Sequence, residues 1–134
     1  MASALIGTWK NVSSDNFDAY LKENGVGAIA RAAANSHKPT MTIEASGDDW
    51  SITASSPLKN HTLKFKIGVE FDEHTADGRD VKSKFTIEGD KLVKAERNVK
   101  DGKEAKIERS VAGGQLVVVC TAGSVVSTRK YNKA

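Results

Sequence analysis

The run from Gln115 to Tyr131 constrains the fold more than any other stretch of the chain. It contains two segments rich in β-branched residues, separated by the turn-forming residues Ala122-Gly-Ser124, a pattern that predicts two antiparallel strands. Side chains alternate between the two faces of a strand, so Arg129 and Tyr131 share a face with the apolar Val125. A buried guanidinium is unfavourable unless an anionic or strongly polar group meets it. The hairpin therefore raises the question of what Arg129 binds.

A second arginine repeats this arrangement in the segment 105–111. Alternation places Arg109 on the same face as Ile107 and Val111, while the polar residues between them take the opposite face. This reverses the usual position of an arginine in a half-buried strand. A single strand arginine is expected to extend to water at the rim of its sheet. Two of them on neighbouring strands, with Tyr131 beside one, favour a shared inward-facing site for an anion.

Two short helices are predicted near the N-terminus, after a first extended segment over 7–12. Apolar residues at i, i+3 and i+4 predict one helix over 16–24. We expect Ser13-Ser-Asp15 to supply its capping residues and Gly25 to end it. A second, alanine-rich helix is predicted over 27–35.

After Pro39 the sequence alternates almost without interruption. Apolar residues recur at every second position in three successive segments, and these residues are Met41, Ile43 and Ala45, then Trp50, Ile52 and Ala54, then Leu63, Phe65 and Ile67. Further strands are expected to begin near Val69, Val81 and Lys91. Short strands separated by turns at this spacing predict an all-β barrel or sandwich. At 134 residues, we expect one domain spanning residues 1–134.

Composition argues against several classes of protein. The net charge is +3, with 20 basic and 17 acidic residues interspersed, and aromatic residues make up 6%, so a nucleic-acid-binding barrel is not expected. The first residues have no basic start followed by a long apolar run, and no segment approaches membrane-spanning length. We therefore expect a cytoplasmic protein.

Residues that commonly carry catalysis or bind metals are sparse. The only cysteine, Cys120, excludes an internal disulfide and lies among valines, where a small buried hydrophobic role is expected. The three histidines, His37, His61 and His74, are far apart and lack metal-site spacing. A serine nucleophile motif is also absent. The sequence therefore predicts no metal, no cofactor and no enzymatic activity.

Several short motifs follow one another along the chain, and they are Gly7-Thr-Trp9-Lys, Asn16-Phe-Asp-Ala-Tyr-Leu21, Gly25-Val-Gly27, Lys38-Pro39, Lys59-Asn60, Glu70-Phe-Asp-Glu73, Ala76-Asp-Gly-Arg79 and Val81-Lys-Ser83. In this order they resemble blocks of the intracellular fatty-acid-binding proteins, particularly the adipocyte, myelin and heart-like branch. The resemblance covers essentially the whole chain. It departs from the family at Asn11, where an aliphatic residue is usual, and at Pro57-Leu58, where Thr-Phe is common. The segment 97–101 also looks longer than its family counterpart.

The resemblance implies a ten-stranded antiparallel up-and-down β-clam, with a helix-turn-helix lid over an internal ligand cavity. In this branch two arginines and a tyrosine bind the lipid carboxylate, and the matching positions are Arg109, Arg129 and Tyr131. The resemblance assigns a further group to the cavity and its portal, consisting of Phe17, Leu21, Ala30, Ala34, Pro39, Leu58, Asp77, Arg79 and Cys120.

The resulting hypothesis is a monomeric, non-enzymatic carrier of one long-chain fatty acid or a similar amphipathic carboxylate. A tail of about 14 methylenes contributes at most roughly 11 kcal/mol before ordering costs, and each charge-assisted hydrogen bond to the head group about 1.5–3 kcal/mol. The alternative is a retinoic-acid carrier of the same family, which uses a similar arginine–arginine–tyrosine arrangement. Lys22, Arg31 and Lys59 favour transient contact with anionic membranes, although ordinary solvated charge explains them equally well.

Overall fold

A computed structural model describes residues 2–36, 38–55, 60–75 and 78–134, which form ten strands in one antiparallel sheet. The strands are β1 (Gly7–Asp15), β2 (Thr40–Ser46), β3 (Asp49–Ser55), β4 (Asn60–Lys66), β5 (Phe71–His74), β6 (Asp80–Glu88), β7 (Lys91–Asn98), β8 (Glu104–Ala112), β9 (Gln115–Ala122) and β10 (Val125–Lys133). A 3-10 turn, Ala2–Leu5, precedes β1, and the helices α1 (Phe17–Glu23) and α2 (Ala28–Asn35) connect β1 to β2.

The sheet curls into a nearly closed barrel. Consecutive strands are neighbours from β1 to β4 and from β5 to β10, and β1 also pairs with β10. The strand order is therefore β4-β3-β2-β1-β10-β9-β8-β7-β6-β5. The prediction of an all-β up-and-down barrel with a helical lid is confirmed. Strand β5 begins at Phe71, two residues later than the alternation predicts.

The alternating apolar residues form the inner face of the barrel, as predicted. Met41 and Ile43 of β2, Trp50 and Ile52 of β3 and Phe65 of β4 are all buried. In the last hairpin, Gly123 adopts a φ of 57° between β9 and β10. A glycine takes this left-handed conformation without steric cost, which explains the tight turn there.

The edges of the sheet, β4 and β5, meet through aromatic side chains. The ring centroids of Phe65 and Phe85 are 3.6 Å apart, and Phe71 stacks 6.2 Å from Phe85. Near this point the backbone N–H of Gly68 donates to the carbonyl of Phe85 at 2.8 Å. Ring packing therefore joins β4 to β5 where the ladder does not.

The expected cap of the first helix is wrong. Ser13-Ser-Asp15 belongs to β1, and the cap position is taken by Asn16 with a left-handed φ of 61° and no side-chain capping bond. Its amide instead donates to the carbonyl of Val126 at 3.0 Å. The pairing of β1 with β10 continues to Asp15, so Ser13-Ser-Asp15 is part of the strand and does not cap the helix. Gly25 does end α1, with the N–H of Val26 donating to the carbonyl of Leu21 at 3.0 Å.

The register between β1 and β10 shifts between Asn11 and Ser13. Asn11 is buried, and its Nδ2 donates to the carbonyls of Ser13 at 3.1 Å and Lys130 at 3.2 Å. A bulge leaves backbone groups unpaired, so an amide is more useful here than an aliphatic side chain. This explains the departure from the family pattern at Asn11.

Candidate functional site

Arg109 and Arg129 lie in the same row of side chains across three neighbouring strands. Arg109 of β8 and Arg129 of β10 are both register partners of Val118 on the central strand β9. Direct cross-strand partners point to the same face of a sheet, and Val118 is buried in the core. Both arginines therefore project inward from Cα atoms roughly 10 Å apart, two strand spacings. The predicted shared face is confirmed, but the expectation that the two arginines lie on neighbouring strands is wrong, because β9 lies between β8 and β10.

The guanidinium of Arg109 is buried, and no carboxylate pairs with it among the described residues. The residue is 9% exposed, and its Nε and Nη1 have no hydrogen-bond partner among the described residues. Burial lowers the pKa of Arg109, and the neighbouring Cys120, Tyr131 and Glu96 oppose that effect. Unpaired donors on a buried cation are costly, so this group is suited to receive an anion.

Arg129 is held at the boundary between the barrel and its lid. Its Nε donates to Ser14 Oγ at 3.0 Å. Its Cζ lies 4.0 Å from the ring centroid of Phe17 on α1 and 5.7 Å from that of Tyr131. Arg129 is only partly buried. The Phe17 ring therefore covers a guanidinium that remains partly exposed.

Two buried phenols lie near these arginines. Tyr131 is 0% exposed and Tyr20 of α1 is 3% exposed. The Tyr131 hydroxyl has no hydrogen-bond partner among the described residues, and that of Tyr20 lies near the Asn24 side chain without a well-aligned hydrogen bond. Burial raises the pKa of both groups, so both remain protonated donors. The sequence pattern uses Tyr20 only as part of the apolar face of a helix, and its hydroxyl becomes notable only once the lid is in place.

Four charged residues with largely buried side chains lie on the inner face nearby, and we call them the inner ion cluster. It consists of Glu73, Arg79, Lys94 and Glu96. Lys94 Nζ is 2.7 Å from Glu73 Oε1 and 2.8 Å from Glu96 Oε2, and Arg79 Nη2 is 3.3 Å from Glu96 Oε1. Ser83 Oγ also donates to Glu73 Oε1 at 2.8 Å. All four charged side chains are at most 11% exposed.

The sequence pattern singles out only Arg79 in this cluster. Alternation along β7 does place Lys94 and Glu96 on one face with Leu92, the same signal that reveals Arg109. The pattern in β7 is harder to interpret, because Val93 on the opposite face is also buried and the two faces therefore do not divide into one apolar and one polar side.

The remaining cavity and portal positions are distributed around the lid. Leu21 is buried in the core, and Phe17 and Ala34 pack against it. Ala30 is exposed and Pro39 partly buried. Cys120 is buried, and desolvation raises the pKa of its thiol to about 11. Leu58 and Asp77 lie outside the described residues, as does Lys59.

In the part of the chain that the structure describes, no three His, Cys, Asp or Glu residues are arranged to hold a metal ion. None of the helices there is long and apolar enough to cross a membrane. The site combines a buried guanidinium, hydrogen-bond donors without a partner among the described residues, and apolar side chains. Such a combination can bind an amphipathic anion.

Comparison with known proteins gives the same family at the level of sequence and of structure. Residues 6–134 match the lipocalin / cytosolic fatty-acid binding protein family. Fatty acid-binding protein homolog 6 of Caenorhabditis elegans is 46% identical over 132 residues, covering 98% of each chain. A Schistosoma mansoni fatty acid binding protein in complex with arachidonic acid is 35% identical, with a TM-score of 0.91 and coverage of 99% of this chain and 98% of that one. Apo lipid binding protein 8 of Caenorhabditis elegans is 33% identical, with a TM-score of 0.94 over 100% of this chain and 98% of that one.

Proposed function

The chain belongs to the lipocalin / cytosolic fatty-acid binding protein family, and from this we propose that it carries one long-chain fatty acid inside its barrel. Arg109, Arg129 and Tyr131 hold the carboxylate. The protein works as a single domain of residues 1–134, a cytoplasmic monomer that binds and releases its cargo without a chemical step.

The observation that carries this proposal is the buried guanidinium of Arg109. Two of its nitrogen atoms, Nε and Nη1, have no partner among the described residues, and the Tyr131 hydroxyl is likewise unpaired. A carboxylate beside Arg109 neutralises the cation and can accept hydrogen bonds from the guanidinium and from the Tyr131 hydroxyl. Charge-assisted bonds of this kind contribute about 1.5–3 kcal/mol each.

Arg129 completes the site from the lid side. Its contacts with Ser14 and Phe17 hold the guanidinium in place, so little side-chain freedom is lost when a carboxylate arrives. The Ser14 hydroxyl is a neutral acceptor, and an anionic oxygen is a stronger partner for the same donor. The carboxylate therefore competes favourably for Arg129.

The opposite half of the inner face suits an aliphatic tail. Met41, Ile43, Ile52 and Phe65 are buried there and Leu63 is partly buried. Their side chains carry no hydrogen-bonding atoms, so methylenes replace water against them at a gain of about 0.8 kcal/mol each. The tail supplies most of the affinity, and the arginines select the head group.

Identification of the bound lipid tests this function directly. Lipid extracted from the purified protein and analysed by mass spectrometry should contain a long-chain fatty acid. In calorimetric titration of delipidated protein, palmitate should bind about ten- to a hundredfold more tightly than its methyl ester or hexadecanol. Equal affinities would contradict the carboxylate site. Tighter binding of retinoic acid than of palmitate would replace the fatty acid with a retinoid.

Transient contact with anionic membranes is proposed as the route of delivery. Ile29 on α2 is 89% exposed, and Lys22 of α1 is also exposed. Arg31 contributes less because its Nε is 3.2 Å from Asp18. Each free basic residue near an anionic surface contributes about 1 kcal/mol. Transfer of fatty acid to vesicles should speed up with anionic lipid content, and a rate independent of that content would leave Lys22 as ordinary solvated charge.

A further inference from the structure

The inner ion cluster is expensive to bury. Removing two carboxylates, an ammonium and a guanidinium from water carries a desolvation penalty, and apolar residues of similar volume often stabilise a fold equally well. Glu73, Lys94 and Glu96 nonetheless lie on the inner face, each side chain at most 6% exposed. A contribution to folding stability therefore does not explain the cluster, and we consider a role in ligand binding instead.

The cluster lies next to the proposed carboxylate site. Lys94 is the register partner of Ile107, which is two residues from Arg109 along β8. One strand spacing and one pleat separate the two residues, so their Cα atoms are roughly 8 Å apart. Glu96 also acts on Arg109 electrostatically, since it opposes the lowering of the pKa of Arg109. The aliphatic chain of a ligand whose carboxylate lies at Arg109 passes the cluster if it extends toward β7.

The cluster retains unused hydrogen-bonding capacity. An ammonium has three N–H donors, and Lys94 has two carboxylate oxygens within salt-bridge distance among the described residues, at 2.7 and 2.8 Å. The hydroxyl of Tyr20, which Glu96 and Arg79 influence electrostatically, lies close to the Asn24 side chain but makes no well-aligned hydrogen bond among the described residues. Carboxylate oxygens accept more than one hydrogen bond each. A hydroxyl can therefore both donate and accept here, and a keto oxygen can accept.

We propose that the inner ion cluster is a second polar subsite, which takes a hydroxyl or keto oxygen on the chain of the ligand. The preferred ligand class is then an oxygenated long-chain fatty acid. The inference rests on the proposed function, because the carboxylate at Arg109 and Arg129 fixes which part of the chain reaches Lys94 and Glu73. A plain aliphatic chain lies against β2–β4 instead, whereas an oxygenated chain uses both halves of the interior.

The test compares stearate with hydroxystearates on delipidated wild-type protein, by displacement of a fluorescent fatty acid. In a wholly apolar pocket a chain hydroxyl should weaken binding by ~10-fold or more, because it loses water without gaining a partner. We expect this protein to bind the hydroxystearate of the best-matched position within about threefold of stearate, or more tightly. Affinity should peak at one hydroxyl position in the chain.

A charge-balanced double variant tests whether the inner ion cluster is what allows the protein to bind a hydroxylated chain. Glu73→Gln with Lys94→Met removes one anion and one cation, and leaves Glu96 paired with Arg79. The matched control, Asp72→Asn with Lys82→Met, removes an exposed ion pair between the same strand β5 and its neighbour β6. In the inner variant the best hydroxystearate should lose ~10-fold or more relative to stearate, and in the control the ratio should not change.

The outcomes separate the two proposals. If stearate binds but every hydroxystearate binds ~10-fold more weakly to the wild-type protein, the subsite is wrong and the carrier function stands. An unchanged ratio in the inner variant overturns the assignment to the cluster. A flat dependence on hydroxyl position in the wild type overturns it as well, and this readout does not require the variant to fold. If neither stearate nor any hydroxystearate binds, the carrier function itself fails.

Discussion

The guanidinium of Arg129 lies 4.0 Å from the ring centroid of Phe17. One residue belongs to strand β10 and the other begins the first lid helix, so the proposed carboxylate site and the lid are in direct contact. Two further bonds tie the same region together, from Ser127 Oγ to the carbonyl of Asp15 at 2.8 Å and from Asn16 to Val126. The lid is thus anchored to the strand that carries Arg129.

Removing the ring should weaken the head-group contact specifically. Phe17→Leu keeps an apolar side chain but loses a cation–π contact of about 0.5–2 kcal/mol and admits water to Arg129. We expect palmitate affinity to fall ~3- to 10-fold, while the affinity for methyl palmitate changes little. Phe17→Tyr is the matched control, because it retains the ring and should bind as the wild type does. Calorimetry on the three proteins decides this, and equal losses for acid and ester would mean that Phe17 contacts only the tail.

Replacing either arginine should lower the affinity for fatty acid without lowering the stability of the fold. Arg109→Gln removes a buried cation whose Nε and Nη1 are unpaired among the described residues, so we expect the free energy of unfolding of the ligand-free protein to stay the same or rise. Palmitate affinity should fall by about ten- to a hundredfold. Arg129→Gln should lose affinity to a similar degree without unfolding the protein. Urea unfolding paired with fatty-acid titration measures both quantities, and unfolding of either variant with intact affinity would make that arginine structural.

The buried thiol predicts a loss of stability at high pH. Desolvation raises the pKa of Cys120 from an ordinary 9.0 to about 11. The neutral thiol is favoured in the folded state, so its contribution is complete below pH 9 and disappears as the pH rises toward 11. Between pH 8.5 and 11 the wild-type protein should lose about 2–3 kcal/mol more unfolding free energy than Cys120→Ala. Parallel pH dependences for the two proteins in urea unfolding would show that Cys120 ionises as an exposed thiol does.

The side-chain amide of Asn11 should be needed to stabilise the bulge in β1. Asn11→Leu introduces the aliphatic residue that the family pattern favours, but it leaves the carbonyls of Ser13 and Lys130 without the Nδ2 donor. We expect the free energy of unfolding to fall by about 1–3 kcal/mol. Asn132→Leu is a useful control, because its exposed side chain accepts one hydrogen bond, from Gln115 Nε2 at 2.9 Å, and should matter less. A more stable Asn11→Leu protein in thermal unfolding would show that packing outweighs the two hydrogen bonds.

The sequence predicts most of the fold and one part of the candidate site. Period-two alternation is a local signal, so it places Arg109 and Arg129 on one face, and the shared partner Val118 confirms this. Local signals fail where distant strands compete, as at Asp15, where pairing with β10 replaces helix capping. They also fail where burial depends on the lid, as for the hydroxyl of Tyr20. The inner ion cluster brings together residues from β5, β7 and the segment before β6, and only tertiary structure shows that their charges match.

The aromatic stack between β4 and β5 has a mechanical consequence for the barrel wall. Elsewhere neighbouring strands are linked by ladders of backbone hydrogen bonds, which break if the strands move apart. Phe65, Phe71 and Phe85 can slide over one another, because dispersion contacts tolerate small lateral shifts better than hydrogen bonds do. We therefore expect any change in the circumference of the barrel to occur along this seam, while the ladders stay intact.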